Sequence, residues 1–395
     1  MPAIARGLLL LFVFTIPWAY SLDLGEPWGN IARILGLLVL LAALPAVLQA
    51  GRVRRPGAVP VWVMALFLWN CCTFFWTIAP AETLESLRWS FQRMMVVWLV
   101  WELAETPRHL RALLRWSLAG FAVLAVLTLA DLRNPQALLE GQMRYAAAGQ
   151  DPNDVAHFLD LGMPLAALLA ISEPRRLGRW LALGYLPLAL AGVLLTASRG
   201  GFLAGMVALL GCAAVLYCRY PRGVRGAALS LPVLLGALAL SLPQGIFERL
   251  VTIPEQLQGG GLNQRWNIWT AGGEAWRRAP LLGSGAGSFV RAARTPSLDT
   301  AHNAALSIAV GGGLCALLLA VGIVAACARS AGRTQGSLRI ALVGALAVCL
   351  ISSLVATVEE SRSTWLLVAC IALAGRLAAE QPRELAQCFS GGDSL

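Results

Sequence analysis

The chain has 395 residues, 58% of them hydrophobic and 13% charged, far from soluble averages of about 45–50% apolar and about 25% charged. That balance excludes an ordinary soluble domain. The formal charge is +10 and every basic residue is arginine; most of these arginines sit in short loops between apolar runs, where the positive-inside rule accounts for them, so no nucleic-acid partner is expected.

Apolar runs near the length that crosses roughly 30 Å of hydrocarbon recur along the chain. They predict an all-α polytopic membrane protein with about twelve spans, at 4–20, 29–50, 58–77, 86–103, 112–130, 152–172, 178–197, 201–218, 225–243, 302–328, 338–356 and 364–380. No alternating ten-residue pattern of a β-barrel is present. The first run, with Arg6 before it and Ala19-Tyr20-Ser21 after it, resembles a signal peptide but is expected to be retained as a span. The organisation expected is a block of nine transmembrane helices over 1–243, a large outer loop with an amphipathic helix over 244–301, and three further helices with a short tail over 302–395.

Alternate loops test the orientation. One set carries three arginines each: Arg52, Arg54 and Arg55; Arg108, Arg111 and Arg115; Arg175, Arg176 and Arg179; Arg219, Arg222 and Arg225; Arg329, Arg333 and Arg339. That face is predicted to be cytoplasmic, with both termini on it. The nine cysteines lie in or beside apolar runs without a CxxC spacing, and read as free thiols packing as small hydrophobes.

The opposite face holds the one long polar interval, from Gln244 to Ala301. Thr252–Gly261 reads as an irregular connector. Asn263 is placed to cap a helix that runs to about Arg278 and is stopped by Pro280. Arg265, Trp269, Gly272 and Trp276 share one face of it, and its tryptophans suit a membrane interface.

The polar residues most costly to hold near a bilayer all fall at this outer face: Asp151 and Asn153, Arg199, Arg265, His302 with Asn303, and Glu359, Glu360 and Arg362. Ionisable groups at such depth tend to mark a substrate path. Arg199 stands at a nearly loopless turn before Gly200 and Gly201. It either snorkels to headgroups or, with the glycines admitting close approach, grips a phosphate bidentately. Arg265 is an interfacial anchor or, with Arg199, a second fixed charge for a pyrophosphate. His302 opens a span beside Asn303, and an imidazole there can accept a hydroxyl proton at neutral pH. His109 and His157 read as structural. Asp151 reads as a helix cap before Pro152 and could also orient an acceptor. Glu359 and Glu360 form an exposed ion pair with Arg362 or supply a carboxylate to the site. Gly283, Gly285 and Gly287 read as a turn for close backbone packing, since no strand precedes them and no Walker lysine follows. No metal-ligand spacing, paired DxD or Walker motif occurs, so neither a metal nor another cofactor is expected and the activated donor is a lipid rather than a nucleotide.

In these residues the chain resembles the O-antigen ligase (WaaL) family, within the wider Wzy-like superfamily of ligases and polymerases. The resemblance rests on an ordered set: Asp151-Pro152-Asn153, Ser198-Arg199-Gly200-Gly201, Arg265 with Trp269, Pro280 followed by the three alternating glycines, and Ala301-His302-Asn303 followed by a Gly311–Gly313 bend. It implies a GT-C-like, metal-independent, inverting glycosyltransferase of the bacterial inner membrane with its active site facing the periplasm. The donor implied is undecaprenyl-pyrophosphate-linked O-antigen and the acceptor lipid A–core. His302 would be the base, with Arg199 and Arg265 on the pyrophosphate. Asn303, Asp151, Asn153, Trp269, Glu359 and Arg362 would contact substrate. A polymerase or a glycan-to-protein ligase would use the same site, and a lipid-linked glycan flippase is the alternative outside the class.

Overall fold

In the computed structural model, residues 2–25, 28–51, 53–134, 144–224, 265–294 and 300–390 are described. They fold into helices only: α1 Pro2–Thr15, with a 3-10 turn over Ile16–Ser21, α2 Ile31–Ala50, α3 Ala58–Thr73, α4 Pro80–Leu103, α5 Pro107–Ala130, α6 Pro152–Ser172, α7 Arg176–Leu195 and α8 Arg199–Tyr217. After the long loop come α9 Arg265–Arg278, α10 Phe289–Ala293, α11 Ala304–Arg333, α12 Gly336–Ser353, α13 Arg362–Glu380 and α14 Pro382–Phe389. The expected span at 225–243, the Thr252–Gly261 connector and the Asn263 cap lie outside the described residues.

Eight helices among the described residues are long and apolar enough to cross a membrane: α1 with its 3-10 extension, α5, α6, α7, α8, α11, α12 and α13. The chain is thus an all-α polytopic membrane protein. Within the expected span at 29–50 the apolar stretch of α2 ends at Pro45, and α3 closes at Thr73, short of the expected 77. α4 runs from Pro80 rather than 86, and its charged residues, Glu82, Glu85, Arg88, Arg93 and Glu102, dilute its hydropathy.

The core is built around α6, where every residue from Val155 to Ser172 is buried. It packs against α5, α7, α8 and α12. Lipid is as apolar as leucine, so such helices associate through close van der Waals contact at small residues rather than by escaping water. Gly211 of α8 and Gly344 of α12 show this: a Cβ on either would lie 3.5 Å from the other's Cα.

Caps and prolines set the helix starts. Asn30, Thr106, Asp151, Ser198, Asn303 and Ser361 each accept a backbone N–H of the turn they open, and Pro107 and Pro152 occupy first helical positions. The turns gather into two ends. At one, Arg54 and Arg6 pair with Glu105, Arg115 pairs with Glu173, and Arg376 donates to the carbonyls of Trp101 and Ala104. At the other, Gln150 donates to the Pro17 carbonyl and Asn303 to that of Leu354.

One break matters for that second end. α11 loses helical geometry at Gly313 (φ 67°, ψ −167°), which frees carbonyls inside an apolar helix. The segment after Pro280 supplies the partners: Ser284 N–H donates to Val310 O and Gly285 N–H to Gly311 O, both at 2.8 Å, while Leu314 N–H donates to Pro280 O at 2.8 Å. Trp69 Nε1 closes Gly312 O at 2.8 Å. Irregular backbone at such a place survives only when buried protein satisfies it. Gly283, Gly285 and Gly287 all have positive φ, and a Cβ on Gly285 would stand 2.0 Å from Thr77 Oγ1. The glycine run is therefore a backbone-to-backbone splice.

Candidate functional site

Asn153 is the junction at the second end. Asp151 Oδ1 accepts its N–H at 2.7 Å, which fixes the first turn of α6. Its own Oδ1 accepts from Arg144 Nη2 at 2.9 Å and from the Ser198 hydroxyl at 2.8 Å. Ser198 in turn caps α8 by accepting from Gly201 N–H at 3.1 Å. The residue before it, Ala197, is buried in a left-handed conformation (φ 46°), an arrangement that costs a non-glycine residue roughly 1–2 kcal/mol. Such an outlier marks a turn that the surroundings hold in place.

The turn is so tight because Gly201 lies against α6, where a Cβ would meet Ala156 Cβ at 2.3 Å. Gly200 likewise faces Val355, which a Cβ would meet at 2.5 Å. Asn153, Ser198, Gly200 and Gly201 line a narrow cleft with Arg265 and with Ser352, Val355 and Ala356 at the end of α12. Arg199, half-buried, opens α8 beside it. Residues from four distant parts of the sequence thus meet: the starts of α6, α8 and α9 and the end of α12.

α9 is held down by Ile268, Gly272 and Ala275; of the expected Arg265, Trp269, Gly272 and Trp276 face, Gly272 is the residue that is fully buried. Gly272 is pressed on Leu306 and Phe289. Trp269 is only part-buried, and its indole donates to Ala301 O at 3.2 Å, tying α9 to the residue before His302. Trp266 is 65% exposed, as an interfacial indole would be.

His302 is half-buried and left-handed, with φ 47°. Its Nδ1 lies 3.3 Å from Thr300 Oγ1. Asn303 caps α11 through Leu306 N–H at 2.9 Å and anchors it to the end of α12 through Leu354 O at 3.2 Å. The residue that opens α11 is therefore fixed between α9 and α12, while the histidine itself stands in a conformation uncommon for its type.

Glu359 and Glu360 lie in a 3-10 turn between α12 and α13. Burial, with Glu360 beside it, pushes the Glu359 carboxyl up to about 8, against the opposing influence of Ser307 and Arg93. Burial also raises Glu360, and Arg93 draws it back down. The expected exposed ion pair with Arg362 does not form. Arg362 is 8% exposed, donates to Asn30 Oδ1 at 3.3 Å and Gln92 Oε1 at 2.6 Å, and stacks on Trp89 with its guanidinium 5.0 Å from the ring centre. Those contacts join α13 to α2 and α4.

Two of the structural readings are visible directly. His157 is buried against Thr364 Oγ1 at 3.1 Å, and His109 Nδ1 accepts the N–H of Glu105 at 3.0 Å. All nine cysteines are free, and Cys72 and Cys218 are exposed rather than buried.

Sequence reasoning missed three neighbours of the site: Arg144, which braces Asn153; Ser307, one turn below Asn303; and Arg93, buried on α4 facing Glu359 and Glu360. Arg93 alone carried a signal, as an arginine within an apolar stretch.

The fold is that of a polytopic membrane protein whose polar residues gather at one end of the helices. Residues 184–321 match the family described as O-antigen ligase. The matched stretch contains Arg199, Arg265, Trp269, the glycine splice, His302 and Asn303; Asp151, Asn153, Glu359 and Arg362 fall outside it. No curated protein matches the chain.

Proposed function

We propose that the protein is an inverting, metal-independent glycosyltransferase that moves O-antigen polysaccharide from undecaprenyl pyrophosphate to lipid A–core. It sits in the bacterial inner membrane with the arginine-rich end cytoplasmic and the Asn153–Arg265 cleft facing the periplasm. The observation that carries this reading is the meeting of Asn153, Ser198, the Gly200–Gly201 turn and Arg265 in one cleft, in a chain whose residues 184–321 match O-antigen ligases.

In this reading His302 takes the proton of an acceptor hydroxyl. The oxygen attacks the anomeric carbon of the donor sugar, the bond from that carbon to the pyrophosphate oxygen breaks with inversion, and undecaprenyl pyrophosphate leaves. Arg199 and Arg265 meet the charge that develops on the leaving group, and fixed charges aimed at a developing charge are usually the largest catalytic contribution. Asn153 and Asp151 keep the Arg199 turn in register, and Asn303 and Trp269 hold His302 against α9 and α12.

Purified protein, undecaprenyl-pyrophosphate-linked O-antigen and lipid A–core, with products separated on a gel, test the proposal. Capped lipopolysaccharide is expected. Lengthened lipid-linked glycan in its place would make the protein a polymerase, and no transfer by a folded preparation would favour a transporter.

A further inference from the structure

α11 begins beside His302 and ends at Arg333, so its last residues lie at the end of the helices away from the Asn153 cleft. There the ends of α8 and α11 and the start of α12 enclose a cavity of about 370 Å³. That volume is in the range of small-molecule sites, roughly 300–1,000 Å³. The short helix α14 closes it. Leu385 and Phe389 are buried, the Arg111 guanidinium lies 5.5 Å from the Phe389 ring centre, and the Ser337 hydroxyl donates to Phe389 O at 3.2 Å. The roof is thus tied to α5 and α12.

The chemistry of this cavity is divided. Ile171, Leu338, Leu385 and Phe389, all buried, give it an apolar floor, while Arg219 and Arg333 line it as well. Among the described residues no aspartate or glutamate lines it. Other arginines at this end already have partners: Glu105 for Arg6 and Arg54, Glu173 for Arg115, and the Thr334 carbonyl for Arg339 at 2.7 Å. Arg333 enters none of the ion pairs among the described residues. Two guanidiniums beside an apolar floor repel a cation and favour an oxyanion, which their paired N–H groups fit. Inorganic phosphate would answer the arginines and leave the apolar floor wet. An uncharged lipid would do the reverse. A zwitterionic headgroup brings a cation that no carboxylate of the cavity can meet. A phosphate diester of net negative charge, carried on a hydrocarbon chain, satisfies both parts, and basic pockets between helix ends suit such headgroups.

We propose that this cavity binds an anionic phospholipid of the phosphatidylglycerol type. Its phosphate lies between Arg219 and Arg333, and the first carbons of one chain rest on Leu338, Leu385 and Phe389. The site goes beyond the transferase reading, and it rests on the proposed orientation only in assigning the lipid to the cytoplasmic leaflet.

Cys218 lines the cavity and is exposed, so its thiol reports occupancy. Purified full-length protein, delipidated in a neutral detergent, is treated with a maleimide, and the labelling rate of each cysteine is read from its peptide by mass spectrometry. Short-chain phosphatidylglycerol is expected to slow labelling of Cys218 saturably. Cys72, exposed at the other end of the helices, is the unaffected reference. Short-chain phosphatidylcholine or inorganic phosphate at the same concentration should give little protection. The pair Arg219→Gln and Arg333→Gln should raise the phosphatidylglycerol concentration for half protection at least about tenfold, as loss of charge-assisted hydrogen bonds does, while the circular dichroism spectrum stays that of wild type. A wild-type Cys218 left unprotected, equal protection by phosphatidylcholine or inorganic phosphate, or unchanged protection in the folded double variant overturns the proposal. Binding is read without glycan transfer, so protection that persists in a protein with no transferase activity upholds the lipid site and removes only the transferase reading.

Discussion

The Ser198 hydroxyl donates to Asn153 Oδ1 at 2.8 Å, joining the first turns of α6 and α8 across 45 residues of sequence. Arg144 reaches the same oxygen at 2.9 Å. One amide thus sets the height of the Arg199 turn against the central helix. Asn153→Ala leaves a hydroxyl and a guanidinium without this acceptor and is expected to destabilise by about 1–3 kcal/mol, read as a lowered thermal midpoint in detergent. Asn153→Asp, which keeps the acceptor, should recover most of the loss.

The glycine splice gives a sharper contrast. Gly313 has φ 67°, and a Cβ there would lie 2.1 Å from Leu281 O. Gly313→Ala should cost at least about 1–2 kcal/mol from the left-handed backbone alone, with the collision added, and lower the yield of folded protein. Gly273 lies inside α9 with open space where a methyl would stand and no positive φ, and it predicts the opposite. Gly273→Ala should stabilise by about 0.5–1 kcal/mol.

Much of this is legible in the chain. Apolar length alone announces α5, α6, α7, α8, α11, α12 and α13, because only a helix satisfies its own backbone in lipid. The Asp151 cap before Pro152 places the start of α6, whereas α5 opens at Pro107 behind the Thr106 cap, ahead of the expected 112. α4 is harder, since Arg93 and the glutamates lower its hydropathy while Arg93 faces Glu359 and Glu360, which no local pattern brings to it. The role of Asn153 is half legible: a helix-opening asparagine is visible, but its partners Arg144 and Ser198 are brought to it by tertiary packing. Arg362 is misread from sequence for the same reason, because Asn30, Trp89 and Gln92 are remote in the chain and draw its guanidinium away from the adjacent glutamates.

The buried carboxyls predict a pH dependence of stability. The folded protein raises Glu359 from an ordinary 4.5 to about 8, so between those values the folded state holds more protons than the unfolded chain. Stability from this group is then fully present below about pH 4.5 and is lost as pH rises through about 8. Thermal midpoints of wild type should fall across that window, and Glu359→Gln, which cannot ionise, should flatten the slope. A wild-type midpoint that climbs steadily over the same range would contradict the assignment.

Arg199 and Arg265 are expected to act on the same leaving group. Arg199→Ala and Arg265→Ala should each reduce turnover, and the double variant should lose less than the product of the two single losses, because groups acting as a unit are not additive. Donor titrations of the single variants, read as kcat and KM, check it; unchanged constants in both would remove the clamp.

The strained backbone at His302, with φ 47°, separates stability from chemistry. Glycine relieves the strain while removing the imidazole, so His302→Gly should melt at or above the wild-type midpoint, by up to about 1–2 kcal/mol, yet fail in glycan transfer.

The most direct measurement is single-turnover glycan transfer by folded His302→Ala beside wild type, with enzyme in excess over lipid-linked donor and acceptor saturating. A general base contributes about 10²–10⁴-fold, so a loss of that size with donor affinity retained is the predicted result. Transfer within a few-fold of wild type would contradict the assignment of His302 as the group that takes the acceptor's proton.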